Sequence, residues 1–218
     1  MERDSSLPPA HDSGFLDKAM AAWQLMRVPD NSILRTHPEA AASAAQMLAA
    51  PTALGGLNLL DARRVVAYMK AVSAQSGEPL MREGEARDTG FMLLILQGEA
   101  TVENLVVSRI QPLVMTVLGP GSLVGELGLI DGQPRSASCI ASSDVLAASL
   151  SRQALSLILE DYPSLGAPLL LCIAQRLATR LRETNAKLKS YAQLVQTMQE
   201  ELHFQIVKAV AATPPKTP

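Results

Sequence analysis

The stretch GSLVGELGLIDGQPRSA, Gly121 to Ala137, decides how the rest of the chain is read. It holds a glycine turn, the acidic Glu126, a short apolar turn of helix, a second turn through Asp131-Gly132, then Arg135 and the small hydroxyl of Ser136. A short helix starting within Gly125 to Leu127 aims unpaired backbone N–H groups at an anion, and its dipole favours negative charge there. Gly125 and Gly128 allow close approach of the backbone and positive φ. Arg135 brings a guanidinium that stays charged and donates two parallel hydrogen bonds to a phosphate, while Glu126 offers the acceptor a sugar hydroxyl needs. Burying Arg135 without an anion leaves a costly unpaired charge, so either a ligand or Glu126 must answer it.

Working outward, Ser76 to Ser149 consists of short apolar runs parted by glycines and prolines: PLMREGE, FMLLILQG, EATVENLVV, PLVMTVLGPGS, SASCIAS and VLAASL. Runs of this length and spacing predict an antiparallel β sandwich or barrel. Phe91 to Leu96 is apolar throughout and belongs in the core, and Gly98 before Glu99 reads as a hairpin turn. Further on, Ser151 is placed to cap a helix over Arg152 to Glu160, which Pro163 ends or restarts. From about Pro168 the pattern is helical to about Val210, before Thr213-Pro214-Pro215 stops it. Within it Leu177, Leu181, Thr184, Leu188, Tyr191, Val195, Met198 and Leu202 follow at steps of four and three. Such a seam implies a supercoiled pair of helices, most simply a parallel homodimer, against the competing reading of one amphipathic helix packed on its own domain. On the other side, residues 1–75 show helix-like periods, Phe15, Ala19, Ala22, Trp23 and Met26, then Leu60, Arg64, Ala67 and Ala71. Pro29, Pro38, Pro51 and Gly55-Gly56 divide this zone into several short helices.

From about Gly77 to Lys187 the chain resembles the cyclic-nucleotide-binding domain family, and within it the bacterial catabolite activator protein group. VGELGLIDGQPRSA is similar to the family's phosphate-binding cassette, REGE with Asp88 and FMLLILQGEATV to its first β hairpins, and AQRLATRLRETNAKL to its dimerisation helix. The resemblance implies an α+β fold: an antiparallel β-roll or jelly roll with N-terminal helices and a long C-terminal dimerisation helix. Its expected divisions are a helical region 1–75, a β-roll 76–163 with the cassette at 121–137, a coiled-coil helix 164–211 and a disordered tail 212–218. It also implies that Glu126 binds the ribose 2′-hydroxyl and Arg135 the cyclic phosphate, with Gly125, Leu127 and Ser136 completing that end of the ligand site. Thr184 would meet the base within its own subunit, and Asn185 would reach over from the partner. Ligand would draw the helix at Ser151 to Asp161 and the start of the long helix toward the cassette. The activator group continues into a winged helix-turn-helix, whereas the 34 residues after Thr184 here mostly extend the same helix, so no recognition helix is expected.

Composition narrows the function. The 218 residues are 48% apolar and 18% charged, and 19 basic against 21 acidic residues give a net charge of -2, which lacks the basic excess of DNA binders. Arg27, Arg35, Arg63 and Arg64 are scattered rather than striped. Cys139 and Cys172 read as small core residues, no signal-peptide pattern opens the chain, and no apolar run approaches the roughly 18 residues of a membrane span, so a reduced cytoplasm is expected. His11, His37 and His203 have no metal-ligand spacing, and Glu83, Glu85 and Asp88 have no nucleophile beside them, so neither a metal nor catalysis is expected. The first reading is therefore a non-enzymatic sensor of cAMP, with cGMP or another cyclic nucleotide as alternatives, signalling to a protein effector. A nucleotide-independent dimeric scaffold with a degenerate pocket comes second and a transcription regulator third.

Overall fold

The computed structural model describes residues 32–104 and 113–211. Helices α1 (Ile33–Thr36), α2 (Pro38–Ala49) and α3 (Leu59–Ala67) lead into strands β1 (Lys70–Ala74), β2 (Pro79–Met81), β3 (Phe91–Gln97), β4 (Ala100–Asn104), β5 (Leu113–Leu118) and β6 (Leu123–Val124). A short helix α4 (Glu126–Asp131) precedes β7 (Ser138–Ala141) and β8 (Val145–Ser151), and helices α5 (Arg152–Asp161) and α6 (Pro163–Ala211) follow. The periods at Phe15 to Met26, the end of the EATVENLVV run and the tail lie outside the described residues.

Two four-stranded antiparallel sheets, ordered β1-β8-β3-β6 and β2-β7-β4-β5, form the β-roll. Their facing sides make one core, to which one sheet gives Leu93, Ile95, Val124, Val145 and Ala147 and the other gives Met81, Ala100, Val102, Cys139 and Ala141. The unbroken apolar run of β3 follows from its place in the middle. Alternation sends Leu93 and Ile95 into this core and Met92, Leu94 and Leu96 to the opposite face, where they are also buried and where α2 packs on the strand. Small side chains let α2 come close: Ala41, Ala44 and Ala45 are buried beside Leu48.

Two local expectations are corrected. Gly98 turns the chain with φ of 79°, but the strands on either side do not pair with each other: β3 lies between β8 and β6, and β4 lies between β7 and β5 in the other sheet. Both edges of β3 are already paired, with β8 and β6, so β4 pairs elsewhere. Gly98 is instead the crossing point between sheets, where a Cβ would stand 2.1 Å from the Asp144 carbonyl oxygen. Ala71, read as the last turn of a helix, lies in β1, which pairs from Lys70↔Ser149 to Ala74↔Val145 along the edge strand's partner β8. Here edge pairing overrides a weak helical period.

Ser151 caps α5 as expected, its hydroxyl accepting from Ala154 N at 3.1 Å, and α6 restarts with Pro163 at its first position. The junction is tied back to the N-terminal helices. Tyr68, buried just after α3, donates its hydroxyl to the Asp161 carboxylate and meets Tyr162 edge to face with centroids 6.4 Å apart. Arg64 lies over the Tyr162 ring, its Cζ 5.1 Å from the ring centre.

The chain divides into two compact units, Met1–Leu170 and Leu171–Pro218. In the second, which is helical to Ala211, the seam residues Leu181, Leu188, Tyr191, Val195, Met198 and Leu202 are all exposed. Among the described residues no helix is long and apolar enough to cross a membrane.

Both cysteines are free and buried, and burial between the sheets pushes the Cys139 thiol from an ordinary 9.0 up to about 11. The unfolded chain therefore releases this proton first, so stability held below pH 9 is lost as pH rises toward 11. Urea unfolding of the reduced protein should show that loss, about 2 to 3 kcal/mol from this group, and Cys139→Ala should flatten the slope by that amount.

Candidate functional site

The site is built where β6 leaves its sheet. Val124 pairs with Leu93, and Gly125 then turns the chain with φ of 84° so that α4 begins at once. Glycine is required twice over at this point. Its conformation is left-handed, and a Cβ on Gly125 would lie 2.6 Å from Met81 Cε and 2.9 Å from Arg135 Nη1. Gly128, one turn on, has still less room, since its Cβ would stand 2.4 Å from the Thr89 carbonyl oxygen and 2.6 Å from Arg135 Nη1.

Arg135 returns beneath α4. Its backbone is fixed in the loop that precedes β3 by two bonds, Arg135 N to Glu85 O at 3.0 Å and Gly84 N to Arg135 O at 2.9 Å. The residue is only 6% exposed. Nη1 donates to Phe91 O at 3.1 Å and to Gly125 O at 3.2 Å, and Cζ sits 4.3 Å from the centre of the Phe91 ring. Nη2 is buried and has no hydrogen-bond partner among the described residues. Desolvation lowers the pKa of the guanidinium from its ordinary value, and the nearby Glu85 charge opposes this in part. A guanidinium remains protonated all the same, so the site keeps a full positive charge with one donor edge unanswered. Leaving such a donor unpaired in the interior costs on the order of 1–3 kcal/mol or more for a charged group.

The other expected residues fall into two groups. Glu126 is 1% exposed at the first position of α4, beside Gly125. The guanidinium of Arg135 is met by two carbonyls and a ring. Leu127 and Ser136 flank this centre and are exposed. Thr184 and Asn185 belong to the second unit, where both are exposed and the Thr184 hydroxyl donates to Arg180 O of its own helix at 2.8 Å.

Three residues of the site were not singled out from sequence. Phe91 supplies both a carbonyl and an aromatic face to Arg135, yet in the sequence it is merely the first member of an apolar run. Thr89 is buried and donates its hydroxyl to Gly132 O at 3.0 Å, closing the end of α4. Arg152, at the start of α5, donates Nε to Leu129 O and Nη2 to Gly128 O, both at 3.0 Å. Each depends on a partner from a distant part of the chain, and none carries a local signature.

Fold and site together define a class: an antiparallel β-roll built around a buried arginine whose spare donor suits an anion. Residues 71–162 match the family described as the cyclic nucleotide-binding domain, and a solved cyclic nucleotide-binding domain from Methylobacillus flagellatus is 31% identical with a TM-score of 0.57, covering 66% of this chain and 80% of that one. The chain belongs to the cyclic-nucleotide-binding domain family. It is 26% identical to the Thermus thermophilus catabolite activator protein, with a TM-score of 0.54 over 63% of this chain and 61% of that one. It is also 31% identical over 120 residues to a CRP-like cAMP-activated global transcriptional regulator of Mycobacterium tuberculosis, covering 55% of this chain and 50% of the regulator. The chain spans about half the length of the curated relatives it matches.

Gly128→Ala tests this packing directly. The added methyl must displace either the Thr89 carbonyl or the Arg135 guanidinium, at a cost of about 1–3 kcal/mol. Thermal unfolding should show that loss, and a crystal structure of the variant should show Arg135 moved from Phe91 and Gly125.

Proposed function

We propose that this chain is a non-enzymatic cyclic-nucleotide sensor with cAMP as its first candidate ligand, acting in the cytoplasm as a homodimer that signals to a protein effector rather than to DNA. The observation that carries the reading is Arg135: buried, charged, held on one edge by Phe91 O and Gly125 O, and unpaired at Nη2. A cyclic phosphate accepts at that edge and removes the penalty of an unanswered buried donor. Glu126 takes the ribose 2′-hydroxyl, with Gly125, Leu127 and Ser136 around the sugar and phosphate. By the family resemblance Thr184 and Asn185 are assigned to the base. The division into an N-terminal helical region, a β-roll and a coiled-coil helix belongs to the same reading, as does a two-chain seam along α6. An exposed row of Leu188, Tyr191, Val195, Met198 and Leu202 supports that seam, because seven-residue spacing buries it against a like helix.

Calorimetric titration of the full chain with cAMP, cGMP and cyclic di-GMP tests the ligand. One of the three should bind in the micromolar range or tighter, about −8 kcal/mol. Arg135→Ala should weaken it by roughly thirtyfold or more, since a phosphate then loses a charge-assisted partner. Absence of binding to all three would overturn the sensor and leave the scaffold reading. Sedimentation tests the seam: the wild type should run as a dimer and Leu188→Glu with Val195→Glu as a monomer, whereas a monomeric wild type would overturn the homodimer.

A further inference from the structure

Arg152 stands where the rules of its own helix disfavour it. It is the first residue of α5, whose first turn carries no acidic side chain. The N-terminal end of a helix is the positive end of its dipole and favours carboxylates, so a cation here is misplaced as far as α5 is concerned. The compensation lies outside α5. Nε and Nη2 donate to Leu129 O and Gly128 O at 3.0 Å each, carbonyls in the closing turn of α4, where a cation is favoured, and Gly128 O also accepts the Gly132 amide at 3.0 Å. At Gly132, which ends α4 with φ of 66°, a Cβ would come within 2.7 Å of Arg152 Nη1, so the guanidinium lies directly against this turn. The Arg152 amide also donates to Gly90 O at 2.7 Å, beside the residue whose carbonyl receives Arg135.

A helix of six residues has too few internal bonds to hold itself, and α4 depends on what grips it from outside. Arg135 grips one end through Gly125 O, and Arg152 with Thr89 grips the other through Gly128 O, Leu129 O and Gly132 O. We infer that Arg152 is a positioning residue for the ligand site: it fixes α4 against the start of α5 before ligand arrives. This rests on the cyclic-nucleotide reading of the site.

The test has one arm that needs no ligand. Amide hydrogen exchange of the full chain without nucleotide should show Leu129 and Gly132 exchanging about tenfold faster in Arg152→Gln than in the wild type, with β3 and β8 unchanged, as expected for loss of charge-assisted bonds. Titration with cAMP should show affinity weakened about tenfold in the same variant, with part of it restored in Arg152→Lys, which keeps the charge. Arg152→Glu suits the first turn of α5 better and should still lose protection in α4. Unchanged exchange in α4, unchanged cAMP affinity, or loss of protection spread evenly over β3 and β8 would each overturn the inference, the last by making Arg152 a general stabiliser. A wild type that takes up no nucleotide would instead bring down the sensor reading and the ligand half of this one, while the exchange arm decides the link between α4 and α5 by itself.

Discussion

The rest of the β-roll is arranged to hold one guanidinium away from water. Moving a charged group from solvent into protein is among the most costly steps in folding, and it is tolerated only where fixed dipoles replace the lost water. Arg135 has the Phe91 and Gly125 carbonyls along one edge and the Phe91 ring against its face. Both carbonyls must be brought within hydrogen-bond reach, which explains why the chain turns so tightly at Gly125 and why no side chain stands at Gly128. The short α4 ends at Gly132, whose left-handed conformation closes it with a bond from its amide to Gly128 O.

Strand β3 makes this arrangement rigid. It pairs along most of its length with β8 and at Leu93 and Leu94 with β6, so the Phe91 carbonyl and the start of α4 are both registered to the same strand. Burial on both faces, by the sheet core on one side and α2 on the other, leaves β3 little freedom to shift. Arg152 extends this frame, because its amide is bonded to Gly90 O at the entrance to β3 while its side chain reaches α4.

The cassette was legible in sequence because its chemistry is local. Gly125, Glu126, Gly128 and Arg135 lie within a dozen residues, and glycine beside an acid with an arginine after the next turn has few other uses. Cap and breaker residues were legible for the same reason, as Ser151 and Pro163 show. What escaped was tertiary. Gly98 carries the signature of a hairpin, but both edges of β3 are paired with β8 and β6, and the next strand lies in the other sheet. Phe91 is indistinguishable from the five apolar residues after it until Arg135 is placed against its ring. Arg152 reads as an ordinary polar residue at a helix start, and its partners lie 23 and 24 positions earlier.

Departures from local preference gather around α4 and thin out away from it. Gly125 caps the helix in a left-handed conformation and so without the side-chain acceptor that an extended Ser, Thr or Asp cap supplies. Asp88, next to the Thr89 that closes α4, is held at φ of 51°, a conformation that costs an L-residue about 1 kcal/mol or more. Arg152 opposes the dipole of its own helix, and Arg135 keeps a buried donor unpaired. Each of these departs from what local stability favours. Their common feature is that each one positions α4 or the charge beneath it. A ligand shifts an equilibrium only through contacts that differ between two states, and the strained, under-satisfied turn around Arg135 is where such a difference is available. The saturated strands β3 and β8 supply the fixed frame against which that turn can change.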